Sequence, residues 1–112
     1  MLTVEKLKNY GANVEEALQR CINNETLYLT LVNRFIDQNT FPGLKEAINN
    51  HDLEGAFHLA HSLKGVIGNL SLTPLYDVIY EMTELLRSRT EMDYQDLIDK
   101  YEKSYNELLA LR

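Results

Sequence analysis

His61 is followed at helical spacing by Lys64, Gly65 and Gly68, and these residue types together suit chemistry on a phosphoryl group. An imidazole has an ordinary pKa of about 6.5, so near neutral pH it offers a nitrogen lone pair without an elaborate activating base. Lys64, one turn on, brings a point charge able to stabilise phosphoryl oxygens, and Ser62 adds a hydroxyl. At 100° per residue, Gly65 projects about 40° to one side of His61 and Gly68 about 20° to the other. Each glycine inside a helix costs about 1 kcal/mol relative to alanine, so two on a face outside the core call for a reason. Close approach of another molecule supplies one.

This strip faces water only if the opposite face of its helix is buried. Asp52 is a good N-cap, and from there to Leu70 the apolar residues Leu53, Ala56, Phe57, Ala60, Leu63, Ile67 and Leu70 centre about 140° away from His61. Glu54, His58 and His61 share the exposed face at spacings of four and three, which is compatible with a metal site. That alternative is weaker, because metal sites in helical bundles draw ligands from several helices pointing inward. Gly55 reads as a small-residue contact at the helix start and His51 as a solvated loop residue.

The remaining elements are also helical, since apolar residues recur at that spacing almost everywhere and no stretch alternates cleanly. A short opening segment closes at Gly11. Asn13, with Glu16 three residues on, caps a helix whose stripe is Val14, Ala17, Leu18, Cys21 and Ile22. Tyr28, Leu31, Val32, Phe35 and Ile36 mark the next, and Leu44, Ala47 and Ile48 either continue it past a kink at Pro42 or form another. Thr73 and Pro74 read as cap and first turn of a helix carrying Leu75, Val78, Ile79, Met82, Leu85 and Leu86. Asp93 opens the last, with Tyr94, Leu97, Ile98, Tyr101, Tyr105 and Leu108 inward. Short connectors imply antiparallel neighbours, so the expected fold is all-α: an up-down-up-down four-helix bundle with a short additional N-terminal helix, in one domain over residues 1–112.

The run Ala60-His61-Ser62-Leu63-Lys64-Gly65, with Gly68, Asn69 and Leu70 after it, closely resembles the signature of histidine-containing phosphotransfer (HPt) domains of multistep phosphorelays. The resemblance extends over most of the chain from Val14 to Arg87, while the last helix matches only as a helix. It implies that His61 is phosphorylated through Nε2, taking the group from a receiver-domain aspartate and passing it to another receiver. It further implies that Lys64 stabilises the phosphoryl group, that Gly65 lets the receiver dock and that Gly68 keeps the surface flat. Thr83 stands where relatives often carry Glu or Gln near the imidazole, and Arg87 matches a basic position near the docking surface. Ser71 and Leu72 depart from the family's Gly and small residue at the turn. The implied partners are receiver domains of response regulators and hybrid histidine kinases.

Composition limits the other readings. With 112 residues, 17 acidic and 11 basic, the chain has a formal charge of −6, and its scattered cations argue against a nucleic-acid partner. One cysteine, Cys21, forms no internal disulfide, and no leader or membrane span is evident, which places the chain in the cytoplasm. Nothing resembles a Gly-rich phosphate loop, so no kinase activity of its own is expected. No cofactor is expected either, with Mg²⁺ carried by the receiver. A start methionine and the absence of a linker lean towards a free-standing protein, and a monomer is the default state. The reading from another functional class is a non-catalytic helical adaptor that binds signalling proteins without using the histidine.

Overall fold

The computed structural model describes residues 1–112 as seven α-helices: α1 Val4–Tyr10, α2 Val14–Arg20, α3 Glu25–Asp37, α4 Phe41–Asn49, α5 Leu53–Asn69, α6 Thr73–Arg87 and α7 Gln95–Leu109. Local chemistry sets most of the starts. The side-chain oxygens of Thr3, Asn13, Asn24 and Asp52 each accept a backbone N–H from the first turn of the helix that follows. The side-chain amide of Asn13 also donates to the Glu16 carboxylate at 3.3 Å, while its backbone N–H goes to Ser71 O at 2.9 Å, so the reciprocal half of a capping box is not made. Gly11 ends α1 at φ +117°, a left-handed conformation that a residue with a Cβ resists, and its N–H closes onto Leu7 and Lys8 carbonyls.

Of the two readings open at Pro42 the structure takes the second, a separate helix, and at Thr73 one boundary shifts. The chain around Pro42 is not a kink: α3 ends at Asp37, and Pro42 lies in the first turn of a separate helix α4. There its missing N–H costs nothing, because first-turn donors have no intrahelical acceptor. Thr73 is the first residue of α6 rather than its cap. Leu72 occupies the cap position without a side-chain bond, and the Thr73 hydroxyl points back to the Ser71 carbonyl at 3.5 Å.

α5 packs most extensively on α6, and it also lies against α4, while α6 lies against α7. Only Leu70, Ser71 and Leu72 separate α5 from α6, so the chain must reverse between them. α1 sits on α2 and α7, and α2 on α3. One apolar core runs through all seven helices, with Tyr28, Leu44, Ile67, Leu72, Ile79, Met82, Ile98 and Tyr101 among its most enclosed side chains. Phe41 and Tyr101 stack face to face, with centroids 3.9 Å apart, tying the start of α4 to α7. No helix is long and apolar enough to cross a membrane.

One buried and two half-buried tyrosines stitch helices distant in sequence through their hydroxyls. Tyr28 donates to Leu70 O at 2.8 Å, Tyr10 to Ser104 O at 2.9 Å and Tyr105 to Ile36 O at 2.8 Å. Burial disfavours the phenolate and pushes all three upward, Tyr28 to about 12, and raises Tyr101 and Tyr94 as well. In the unfolded chain a phenol loses its proton near about pH 10, whereas the folded chain holds it longer. This stabilisation is therefore complete below about pH 10 and is lost as the pH rises through the folded values. We expect the melting temperature to hold up to about pH 9 and to fall steeply above about pH 10. Tyr28→Phe should cost about 1 kcal/mol near neutral pH. By about pH 11 the gap between variant and wild type should narrow. Equal stability of the wild type at about pH 8 and pH 11 would contradict this assignment.

Candidate functional site

α5 buries Leu53, Ala56, Ala60, Leu63 and Ile67. That phase turns His61 outward, where it is exposed and makes no hydrogen bond to the protein. Phe57, one turn earlier, is not the core residue that periodicity predicts. It is half-buried, and its ring lies 5.8 Å from the imidazole centroid at an interplanar angle of 30°, forming a floor beside His61.

The α6 side of this floor is cationic. The Arg87 guanidinium carbon lies 5.1 Å from the Phe57 centroid and that of Arg89 4.9 Å, contacts worth about 0.5–1 kcal/mol each at exposed sites. Arg87 also donates from Nε to Glu84 at 3.2 Å. Lys64 is half-buried, pairs with no carboxylate, and holds its ammonium 5.4 Å from the Tyr80 ring centroid. An unneutralised cation one turn from an exposed imidazole is the arrangement expected where that imidazole gains negative charge.

Beyond Lys64 an open cleft of about 480 Å³ is lined by Lys64, Gly65, Gly68, Tyr76 and residues of the α2 segment, including Arg20. Arg20 braces its floor. Its guanidinium donates to Ser71 Oγ at 2.8 Å and to the Gly68 and Asn69 carbonyls at 3.3 and 3.2 Å, satisfying acceptors at the C-terminal end of α5. It also pairs with Glu16, whose carboxyl it holds below the usual carboxylate range.

The two glycines of α5 have different causes. A Cβ on Gly65 would meet nothing within 4 Å, so no intramolecular contact accounts for it and the bare backbone faces outward. A Cβ on Gly68 would stand 3.1 Å from Tyr76 Cε2, so that glycine serves the close approach of α6 to α5. Gly55 has a local reason: a Cβ there would strike the Asp52 carboxylate that caps the helix.

Thr83 does not lie on the docking surface. It is fully buried, and its hydroxyl donates to Ile79 O at 2.6 Å within its own helix, so it presents nothing to His61 or to a partner. Its place four residues after Ile79 and next to Met82 in the apolar stripe was the readable signal. Ser62 is exposed but looks the other way, onto a shallow groove with Phe35, Gln38, Leu63 and Val66. The structure thus groups Lys64, Gly65 and Gly68 on one side of α5, sets Arg87 by Phe57, and separates Ser62 from both. Glu54, His58 and His61 do not converge, and no group of three or more His, Cys, Asp or Glu side chains could hold a metal. Sequence reasoning passed over Arg20 and Arg89 entirely.

The contrast between the glycines is measurable by urea unfolding. Gly65→Ala should stabilise by about 0.5–1 kcal/mol, since alanine is the better helix former and its methyl meets only open space. Gly68→Ala should forfeit that gain or destabilise, because Tyr76 must shift. Equal gains at both positions would contradict the packing role given to Gly68.

The model of one protein family, the Hpt domain, matches residues 30–111. No curated protein and no solved structure matches the chain. The matched segment begins within α3 and takes in α4 to α7, including the helix that presents His61 and the helix that flanks it. Because that match spans well over half of this all-helical chain, the protein belongs to the Hpt domain family, whose members carry phosphoryl groups in two-component phosphorelays.

Proposed function

We propose that this protein accepts a phosphoryl group on His61 from the aspartyl phosphate of one receiver domain and yields it to the aspartate of another. The observation that carries this reading is the exposed, unbonded imidazole with unpaired Lys64 one turn on and open backbone at Gly65 beside it. In the forward step the lone pair of His61 Nε2 attacks phosphorus, the P–O bond to the donor aspartate breaks, and that carboxylate leaves with the bonding pair. In the second step the acceptor carboxylate attacks and the P–N bond breaks, returning the imidazole.

Little covalent chemistry is asked of the protein, so positioning and charge do the work. Phe57 supports one side of the imidazole, leaving the outer nitrogen to the partner. Lys64 supplies positive charge towards the phosphoryl oxygens. Bare backbone at Gly65 lets the receiver's surface come close. The Mg²⁺ that receiver chemistry employs travels with the receiver, and this chain contributes the nucleophile and the docking face.

The test is transfer of radiolabelled phosphate from a panel of acetyl-phosphate-charged receiver domains. Wild type should take up acid-labile, alkali-stable label, and His61→Gln none. Lys64→Ala should still be labelled, about tenfold more slowly, as loss of one partly exposed charge warrants. Label persisting on His61→Gln would overturn the site. Absence of label from every receiver, with receiver binding intact, would favour the helical adaptor.

A further inference from the structure

Arg89 has no counterpart in the residues discussed so far as phosphoryl chemistry, yet it is the most firmly held cation near His61. It lies just past α6 in the left-handed conformation, at φ +51°. Its Nη1 donates to Leu86 O at 3.0 Å and to Arg87 O at 3.1 Å, carbonyls of the last turn of the helix, and its own backbone N–H also closes onto Leu86 O. The guanidinium is thereby fixed over Phe57, the ring that floors His61. Arg87 shares that ring but is drawn to Glu84, whereas Arg89 pairs with no carboxylate. Its charge is offset only by backbone dipoles and the Phe57 ring, all contacts within this chain.

A receiver able to hold an aspartyl phosphate and a divalent cation must gather carboxylates around that site. Against a chain of formal charge −6, such a surface is repelled except where positive charge is concentrated. We propose that Arg89, seated on Phe57, is a docking residue that attracts and orients the acidic rim of the receiver's phosphorylation site. This inference rests on the phosphotransfer reading and adds to it the partner chemistry and the residue that meets it. Arg89 acts on the approach of the partner. It does not touch the reacting atoms.

The prediction is a split between encounter and chemistry. Transfer from a phosphorylated receiver is followed for wild type, Arg89→Lys, Arg89→Gln and Arg89→Glu. Lys103→Glu, an exposed charge reversal on α7, serves as the control of equal net charge. Circular dichroism and melting curves confirm that each variant is folded. Arg89→Glu should lower kcat/KM about tenfold at low salt, with the deficit shrinking towards about 0.3 M salt. The rate at saturating receiver should be unchanged. Arg89→Gln should fall between, while Arg89→Lys and Lys103→Glu stay near wild type. Three results would each overturn the proposal: Arg89→Glu behaving like Lys103→Glu, a deficit that salt does not relieve, or Arg89→Lys as slow as Arg89→Glu, which would reduce Arg89 to a cap of α6. A wild type that takes no label would instead sink the phosphotransfer reading itself.

Discussion

The angular phase of α5 is the constraint on which the rest depends. Leu53, Ala56, Ala60, Leu63 and Ile67 fix one face of this helix in the core, and the 100° step between residues then leaves no freedom in where His61 points. Core burial is worth far more than any preference of a surface imidazole, so the hydrophobic effect on one side of α5 orients the chemistry on the other. The neighbouring helix is placed by hydrogen bonds as well as by the core. A three-residue turn, the Tyr28 bond to Leu70 O and the Arg20 brace on Gly68, Asn69 and Ser71 all act at the end of α5, which sets where α6 begins and hence what flanks the histidine.

That flank is built by the proximity of α5 and α6. Tyr76 presses against Gly68, Tyr80 draws the Lys64 ammonium, and Arg87 and Arg89 close over Phe57. The outcome is a strip in which positive charge, aromatic surface and bare backbone surround one imidazole on an otherwise acidic molecule. Each contact is modest alone. Together they limit the conformations of flexible cationic side chains, which lowers the entropy lost when a partner engages them.

Much of this was legible in the sequence because it is local. Asn13 and Asp52 cap the helices they were expected to cap, and the exposure of His61 follows from periodicity within a single helix. Other residues needed either a closer reading of their own helix or the helix packed beside it. Thr83 looks polar in isolation, yet it falls in the stripe of Ile79, Met82 and Leu86 and spends its hydroxyl on Ile79 O. Phe57 was assigned to the core, although at the edge of the apolar stripe it ends half-buried beside His61. Gly68 seemed to share the reason for Gly65, and only the separation of α5 from α6 distinguishes them. Arg89 carried no signal at all, since its position follows from a left-handed residue at the end of α6.

The central claim is that one imidazole among three carries the phosphoryl group, and this can be read at residue level. His51, His58 and His61 all lie in one tryptic peptide, residues 46–64. Electron-transfer fragmentation of that peptide at neutral to alkaline pH, after brief reaction with a phosphorylated receiver, therefore discriminates among them directly. Phosphate on His61 alone is the predicted result. Phosphate on His58 or His51, or a peptide unmodified by a receiver that binds the protein, would contradict the account.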